Sequence, residues 1–335
     1  EPEGSSLHRS HSSAADRLVV TSVGGNDKRL ETNLTSASTA IPEVSVLMTC
    51  YNAASTIHQS VNSIIGQTFT NWELVVVDNC STDDSLTVVK NLNDDRIKII
   101  ALDKNHGRTP ALAIALDHAR AEFVAILDAD DISSQDRLQQ QFDFLTSNKN
   151  IVAIGSWYRN IDQHGNLINE VKTPTTSVDV IRQMASDNPI VNSSAMFRAE
   201  SARAVGGYNQ KYLYAQDFAL WLALARVGEF AILPKFLTDI RRVTSSLSLT
   251  SSNSLILTAD NYELYRQAQN LSGLTLLDKL NGKRTVGLYG LLYAWRSLQA
   301  RKVIRAFGLL IQNFWAIPLV AFELLRKGFN SLKSI

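Results

Sequence analysis

Three carboxylates within four residues, Asp128, Asp130 and Asp131, follow the apolar run Phe123-Val124-Ala125-Ile126-Leu127. Another, Asp78, closes Val75-Val76-Val77, and Asp83 lies shortly beyond it. Like charges this close repel unless a cation or hydrogen-bond donors lie between them. Carboxylate oxygens are hard ligands, and a pair at a strand end suits Mg²⁺ or Mn²⁺ held jointly with a substrate phosphate. A structural reading competes with this one. A single acid after a strand also serves as a helix N-cap, which accounts equally well for Asp83 or Asp131. His58, His106 and His164 have no paired ligand spacing and read as solvated surface residues. The two cysteines, Cys50 and Cys80, are too few for a disulfide framework or a four-thiolate zinc site. They read as small buried thiols at neighbouring strand ends, in a reducing compartment.

The hydrophobic pattern supplies the elements that must position these groups. Runs at 44–49, 72–78, 96–102, 122–128 and 151–158 are β-branched or bulky and short enough to be strands. Helical stripes follow four of them. Ile57, Val61, Ile64 and Ile65 share one face, as do Leu86, Val89 and Leu92. A third helix is predicted over 109–120, with Pro110 in its first turn, and a fourth over 135–145. Strands alternating with helices predict an α/β fold whose parallel sheet is covered on both faces. Ligands of such sheets bind beyond the carboxyl ends of the strands, where Asp78, Asp128 and Asp130 fall. An acid after the second strand also contacts ribose in dinucleotide folds. The first turn, Cys50-Tyr51-Asn52-Ala53-Ala54-Ser55, has no glycine, and no GxxxxGK[ST] loop occurs. Dehydrogenase and P-loop readings therefore fail, and a bound diphosphate would need a metal to neutralise it.

Six segments run in order over residues 42–250: PEVSVLMTCYNAASTIHQSVNSIIGQTF, NWELVVVDNCSTDDS, NHGRTPALAIAL, FVAILDADD, NSSAMFRAESARAVGGYN and QDFALWLALA. In them the chain resembles the family 2 glycosyltransferases, inverting enzymes of the GT-A fold that use nucleotide-diphospho-sugars. The resemblance implies a Rossmann-like GT-A domain over 41–250, a mostly parallel sheet flanked by helices. It implies that Thr49, Tyr51 and Asp78 hold the donor's base and ribose, and that Arg108 contacts the nucleotide. Asp128 and Asp130 match the DXD motif, the first facing the ribose and the second ligating Mn²⁺ or Mg²⁺ on the diphosphate. Asp217 matches the catalytic base, although an N-cap on a helix over 218–226 would look the same. A UDP-sugar donor is implied, with a glycan or lipid-linked glycan hydroxyl as acceptor in polysaccharide or glycolipid assembly.

Three positions depart from the family pattern. Gln216 replaces an acid before the base, which by charge alone lowers the pKa of Asp217. Ala113 replaces an asparagine, and Val243 stands where a metal-site histidine is usual. With Val243 unable to ligate, Asp130, diphosphate and water suffice, or Arg241 or Arg242 replaces part of the metal's charge. Otherwise the rival function holds: a catalytically silent GT-A domain that binds nucleotide or partner proteins at a membrane.

The chain as a whole carries 33 basic and 32 acidic residues, which argues against a nucleic-acid partner. The balance is uneven along it. Residues 1–40 are polar and aperiodic and read as a flexible extension. Residues 251–335 are expected to form a helical, basic and apolar region. From Lys283 to Ile335, nine Lys/Arg face a single acid, Glu323. The stretch 306–325 has the length of a membrane span, but Gln312, Asn313, Pro318 and Glu323 argue against one. Helices lying in a membrane interface at the cytoplasmic face of the plasma membrane are expected instead. Packing on the catalytic domain and a true span are the alternatives. The sequons at Asn33 and Asn270 have no secretory signal to support their use.

Overall fold

The computed structural model describes residues 41–242 and 251–318. The chain enters as β1 (Val44–Cys50), α1 (Ile57–Ile65), β2 (Trp72–Asp78), α2 (Ser85–Lys90), β3 (Ile97–Ala101), α3 (Arg108–His118) and β4 (Phe123–Ile126). Then come β5 (Ile132–Ser133), α4 (Arg137–Ser147), β6 (Ile151–Ile161), β7 (Leu167–Val171), α5 (Ser177–Met184) and β8 (Met196–Arg198). It continues through α6 (Ala199–Ala204), α7 (Gln216–Leu224), β9 (Glu229–Arg241), α8 (Ser251–Ala268), α9 (Leu276–Gln299) and α10 (Val303–Asn313).

One sheet runs in the order β3-β2-β1-β4-β8-β6-β9-β5, with β7 paired to β6. Its first four strands are parallel. From β4 outward the sheet is mixed, because β8 is antiparallel to both β4 and β6. β9 is parallel to β6. The five expected strands appear as β1, β2, β3, β4 and β6. β4 stops at Ile126, two residues short of the expected end, so Asp128 already belongs to the loop. The register then places that loop: Cys50 pairs with Asp78, Leu47 with Ile126, and the Leu127 N–H donates to the Leu47 carbonyl. The carboxyl ends of β1, β2 and β4 therefore form one ledge.

Alternating strand residues build two apolar layers. Leu47, Val75, Val77, Val124 and Ile126 face Leu112 and Leu116 of α3 and Trp221 of α7. Val46, Met48, Leu74, Val76 and Phe123 face Ile57, Val61 and Ile64 of α1 and Leu138 and Leu145 of α4. Each fully buried aliphatic side chain contributes about 1.5–3 kcal/mol, so the ledge rests on a rigid base.

Residues 251–318, the described part of the C-terminal region, are mostly helical, as expected, and α8 packs on the sheet-bearing body. Leu264, Tyr265, Ala268 and Leu271 join the first apolar layer. The Asp260 carboxylate accepts the backbone N–H groups of Leu213 and Tyr214 at 2.9 and 3.1 Å. α9 opens with a capping box between Thr275 and Asp278. Its Gly287 and Gly290 let α10 approach so closely that a Cβ at either would overlap Ala316 or Asn313. No helix among the described residues is long and apolar enough to cross a membrane. The proposed span 306–325, Val243 and the extension 1–40 lie partly or wholly outside the described residues.

Candidate active site

The ledge carries Thr49, Tyr51, Asp78, Asp128 and Asp130, while Arg108 reaches it from the first residue of α3. Asp78, at the end of β2, is buried, and its two oxygens accept the Cys50 thiol at 3.3 Å and the Ser81 N–H at 3.2 Å. Thr49 is half-buried one residue before Cys50, and Tyr51 follows it with its ring open to solvent. Burial, together with the bond to Asp78, pushes the Cys50 thiol far up and leaves it inert. Cys80 is only half-buried, so the expectation of two buried thiols holds for one of them. His58, His106 and His164 are exposed, as anticipated. Asp83 is a structural tie. It accepts the N–H of Ala54 at 3.0 Å and both the N–H and hydroxyl of Ser85, joining the first two loops.

Beyond β4, side-chain oxygens of Asp128, Asp130 and Asp131 lie within 4.8 Å of one another. Asp128 accepts the Arg108 guanidinium on both oxygens at 2.5 Å and the Asn192 amide at 3.0 Å. Asp131 is no helix cap. It accepts the Ser193 hydroxyl at 2.5 Å and the Arg241 N–H at 2.8 Å. Burial, with Asp130 and Asp128 alongside, holds Asp131 well above the usual carboxylate range. Burial and Asp128 also raise Asp130, against the pull of Arg108 and Arg241. An all-oxygen donor set under this mutual repulsion fits a hard divalent cation such as Mg²⁺ or Mn²⁺.

On the opposite side, Asp217 sits in the first turn of α7. It is not the N-cap, which is Ala215, and its carboxylate reaches another segment to accept the Asn188 amide at 3.1 Å. Burial raises its pKa, more than its bonds to the Phe218 N–H and Asn188 and the charge of Arg108 lower it. The lowering expected from Gln216 is relative to an acid at that position, whereas burial sets the net direction, which is upward. The Arg108 side chain pairs with Asp128, and the charges of Asp128, Asp217 and Asp130 all raise its pKa against the effect of burial.

Residues 45–205 match the model of glycosyl transferase family 2. EpsE of Bacillus subtilis, named as a glycosyltransferase, is 31% identical over 196 residues, which are 56% of this chain and 68% of EpsE. This chain belongs to glycosyl transferase family 2. The match spans about two thirds of the length of EpsE and of a Haemophilus influenzae relative, and as little as 27% of a longer one, the chondroitin synthase of Escherichia coli. The fold of this chain is that of solved GT-A glycosyltransferases. The S. aureus TarS structure in complex with UDP-GlcNAc superposes with a TM-score of 0.55 at 18% identity, over 77% of this chain and 73% of that one. A mannosyltransferase from Pyrobaculum calidifontis, in complex with GDP-Man and Mn²⁺, gives 0.56 at 18% identity, over 86% and 81%.

Several residues around this family 2 pocket escape a reading of the sequence. Ser193 accepts the Asp128 N–H at 3.0 Å while donating to Asp131, tying the two acids together. The buried Tyr208 hydroxyl and Asn192 Oδ1 have no partner among the described residues. Burial, then the charge of Asp217, raises the Tyr208 phenol. Ser193 and Tyr208 lie inside a recognisable segment, yet only their contacts show what they touch. Of the two arginines considered as charge substitutes, Arg241 is the one beside the acids. Its guanidinium donates to the Asp130 carbonyl at 2.9 Å, whereas Arg242 donates to Asn160.

Arg137 supports the acidic loop of the family 2 site from beneath. It is fully buried and donates to the carbonyls of Ile126 and Ala195, both at 2.9 Å, and to Gln141 at 3.1 Å. Burial lowers its pKa while the nearby Asp131 raises it. Arg137→Met removes these donors and leaves the buried carbonyls of Ile126 and Ala195 without them. The expected cost is about 2–4 kcal/mol, read as a fall in melting temperature of roughly 10 °C. A melting curve equal to wild type would refute this supporting role.

Proposed function

We propose that this chain is an inverting glycosyltransferase that moves a sugar from a nucleotide-diphospho-sugar to an acceptor hydroxyl. One observation carries the reading: oxygens of Asp128, Asp130 and Asp131 lie within 4.8 Å of one another at the end of β4, with Arg108 paired to Asp128, a setting suited to a donor diphosphate. Thr49, Tyr51 and Asp78 line the nucleotide end, and Asp128 faces the ribose. Asp130, with Asp128 and Asp131 beside it, would hold the divalent ion. When bound, that ion offsets the charge of the diphosphate leaving group. Asp217 takes the acceptor hydroxyl's proton as that oxygen attacks the anomeric carbon and the bond from that carbon to the phosphate oxygen breaks. The proton ends on Asp217, and the configuration inverts because the displacement is single.

The acceptor is proposed to be a glycan or lipid-linked glycan in surface polysaccharide assembly, met at the cytoplasmic face of a membrane. A UDP-sugar is the first donor to try. TarS is in complex with UDP-GlcNAc and the archaeal enzyme with GDP-Man, so both nucleotides belong in the test. The experiment is nucleoside-diphosphate release over UDP-, GDP- and dTDP-sugars, with and without Mn²⁺, with membrane extract as acceptor. Metal-dependent release from one donor is expected. Silence across the panel would return the chain to the rival reading of a catalytically silent GT-A domain.

A further inference from the structure

α10 is apolar on two opposite faces. Its inner face, Ala306, Leu309 and Asn313, is buried against α9 and Tyr262, aided by the close approach at Gly287 and Gly290. Two positions out of step lies a second row, which no described residue covers. Ile304 is 92% exposed, Phe307 66%, Ile311 65% and Phe314, in the turn that follows, 72%. Arg305 and Gln312 leave a polar edge on α10, so the exposed apolar row is a second face that can be buried against protein or lipid. Isolated exposed apolar residues need no explanation, but an aligned ridge marks an interaction surface.

The surroundings of the ridge say which surface it fits. Arg301, Lys302 and Arg305 are exposed at its amino-terminal end. Residues 279–318 contain seven Lys/Arg and neither Asp nor Glu. Trp295 and Trp315 are about half exposed nearby, and indole rings favour the headgroup level of a bilayer. A second copy of the chain is a poor occupant, since a two-fold interface on this ridge would bring the same cationic clusters together. We propose that the outer face of α10 docks in the plane of an anionic phospholipid bilayer, its ridge in the acyl boundary and its cations among the headgroups. α9 stands between this surface and the acceptor side of the pocket. Thr285 donates to the Ser186 carbonyl at 3.1 Å, and Tyr289 stacks at 5.2 Å on Tyr265, which packs at 5.0 Å on Phe218 beside Asp217. The ring contacts from α9 toward Asp217 thus pass through Tyr265 of α8. Docking itself stands independently of any role for Asp217.

Co-sedimentation of the full chain with vesicles tests the assignment, using phosphatidylcholine alone or with phosphatidylglycerol at about 30%. Binding to the anionic vesicles is expected, falling as salt rises. The triple variant Arg301→Gln, Lys302→Gln, Arg305→Gln should bind roughly 100-fold more weakly. The pair Phe307→Ser, Ile311→Ser should lose about tenfold or more. Melting temperature and nucleoside-diphosphate release, read on the same samples, should match wild type, so that misfolding or failure of the transferase reading is told apart from failure of docking. Wild-type protein left in the supernatant, or variants that bind like wild type, would overturn the proposal. So would a dimer that the serine pair dissolves, or vesicle binding that appears only on deleting residues 319–335. Those last two results would give the ridge to a second copy or to the chain's own end.

Discussion

Asp217→Asn is expected to lower turnover by about 10²–10⁴-fold while donor affinity stays within a factor of about two. The substitution keeps the shape of the side chain and its contact with Asn188, so only the proton acceptor is lost. Removing a desolvated charge relieves the fold, and melting should occur no lower than in wild type. Wild-type enzyme should also show an acid limb in its kcat/KM profile above the usual carboxylate range. The base works ionised, burial has raised its pKa, and activity falls as pH drops through that raised value. Asn188→Ala removes a group that stabilises the ionised form, and should move the same limb higher. Turnover by Asp217→Asn within fivefold of wild type, or an acid limb at the ordinary carboxylate value, would sink the assignment.

Asp130→Asn should be nearly as damaging to activity, roughly 10²–10³-fold, by removing a charged ligand for the metal that offsets the leaving diphosphate. Binding of Mn²⁺, followed by the paramagnetic resonance of the free ion, should weaken in parallel. Stability should move the opposite way. Burial and Asp128 penalise the charged form of Asp130, so its folded-state pKa lies above the unfolded one. Such a group favours folding at low pH and opposes it as pH rises through the raised value. At neutral pH the neutral amide therefore melts higher than wild type. A variant that is both less active and less stable would mean that Asp130 holds the loop together instead of holding a cation.

Local pattern made much of this protein legible. Alternation of apolar strands with helical stripes was enough for the parallel core β3-β2-β1-β4 and for the ends where Asp78 and Asp128 emerge, since burial on both faces of a strand is written in its own residues. β8 was not legible: three residues inside a polar stretch become a strand only because β4 and β6 stand on either side. The Asp217 pKa shows a different limit. Gln216 spares Asp217 a neighbouring like charge, but the net direction is set by desolvation, which depends on walls around the group that come from elsewhere in the chain.

The sequence by itself was enough to single out Asp128, Asp130 and Asp217 as the candidates for the proposed chemistry, because their types and spacing sit in short recognisable segments. It also determined the basic, apolar character of the C-terminal region. Tertiary structure alone decided that Asp131 joins the acidic cluster, tied there by Ser193 and by the Arg241 N–H, 110 positions away in the chain. It alone placed Arg137 beneath the loop, and it alone chose which face of α10 is used inside and which is left open. The reason is the same in each case. A carboxylate's partners and a helix's exposed face are set by contacts between distant segments, and no local period encodes those.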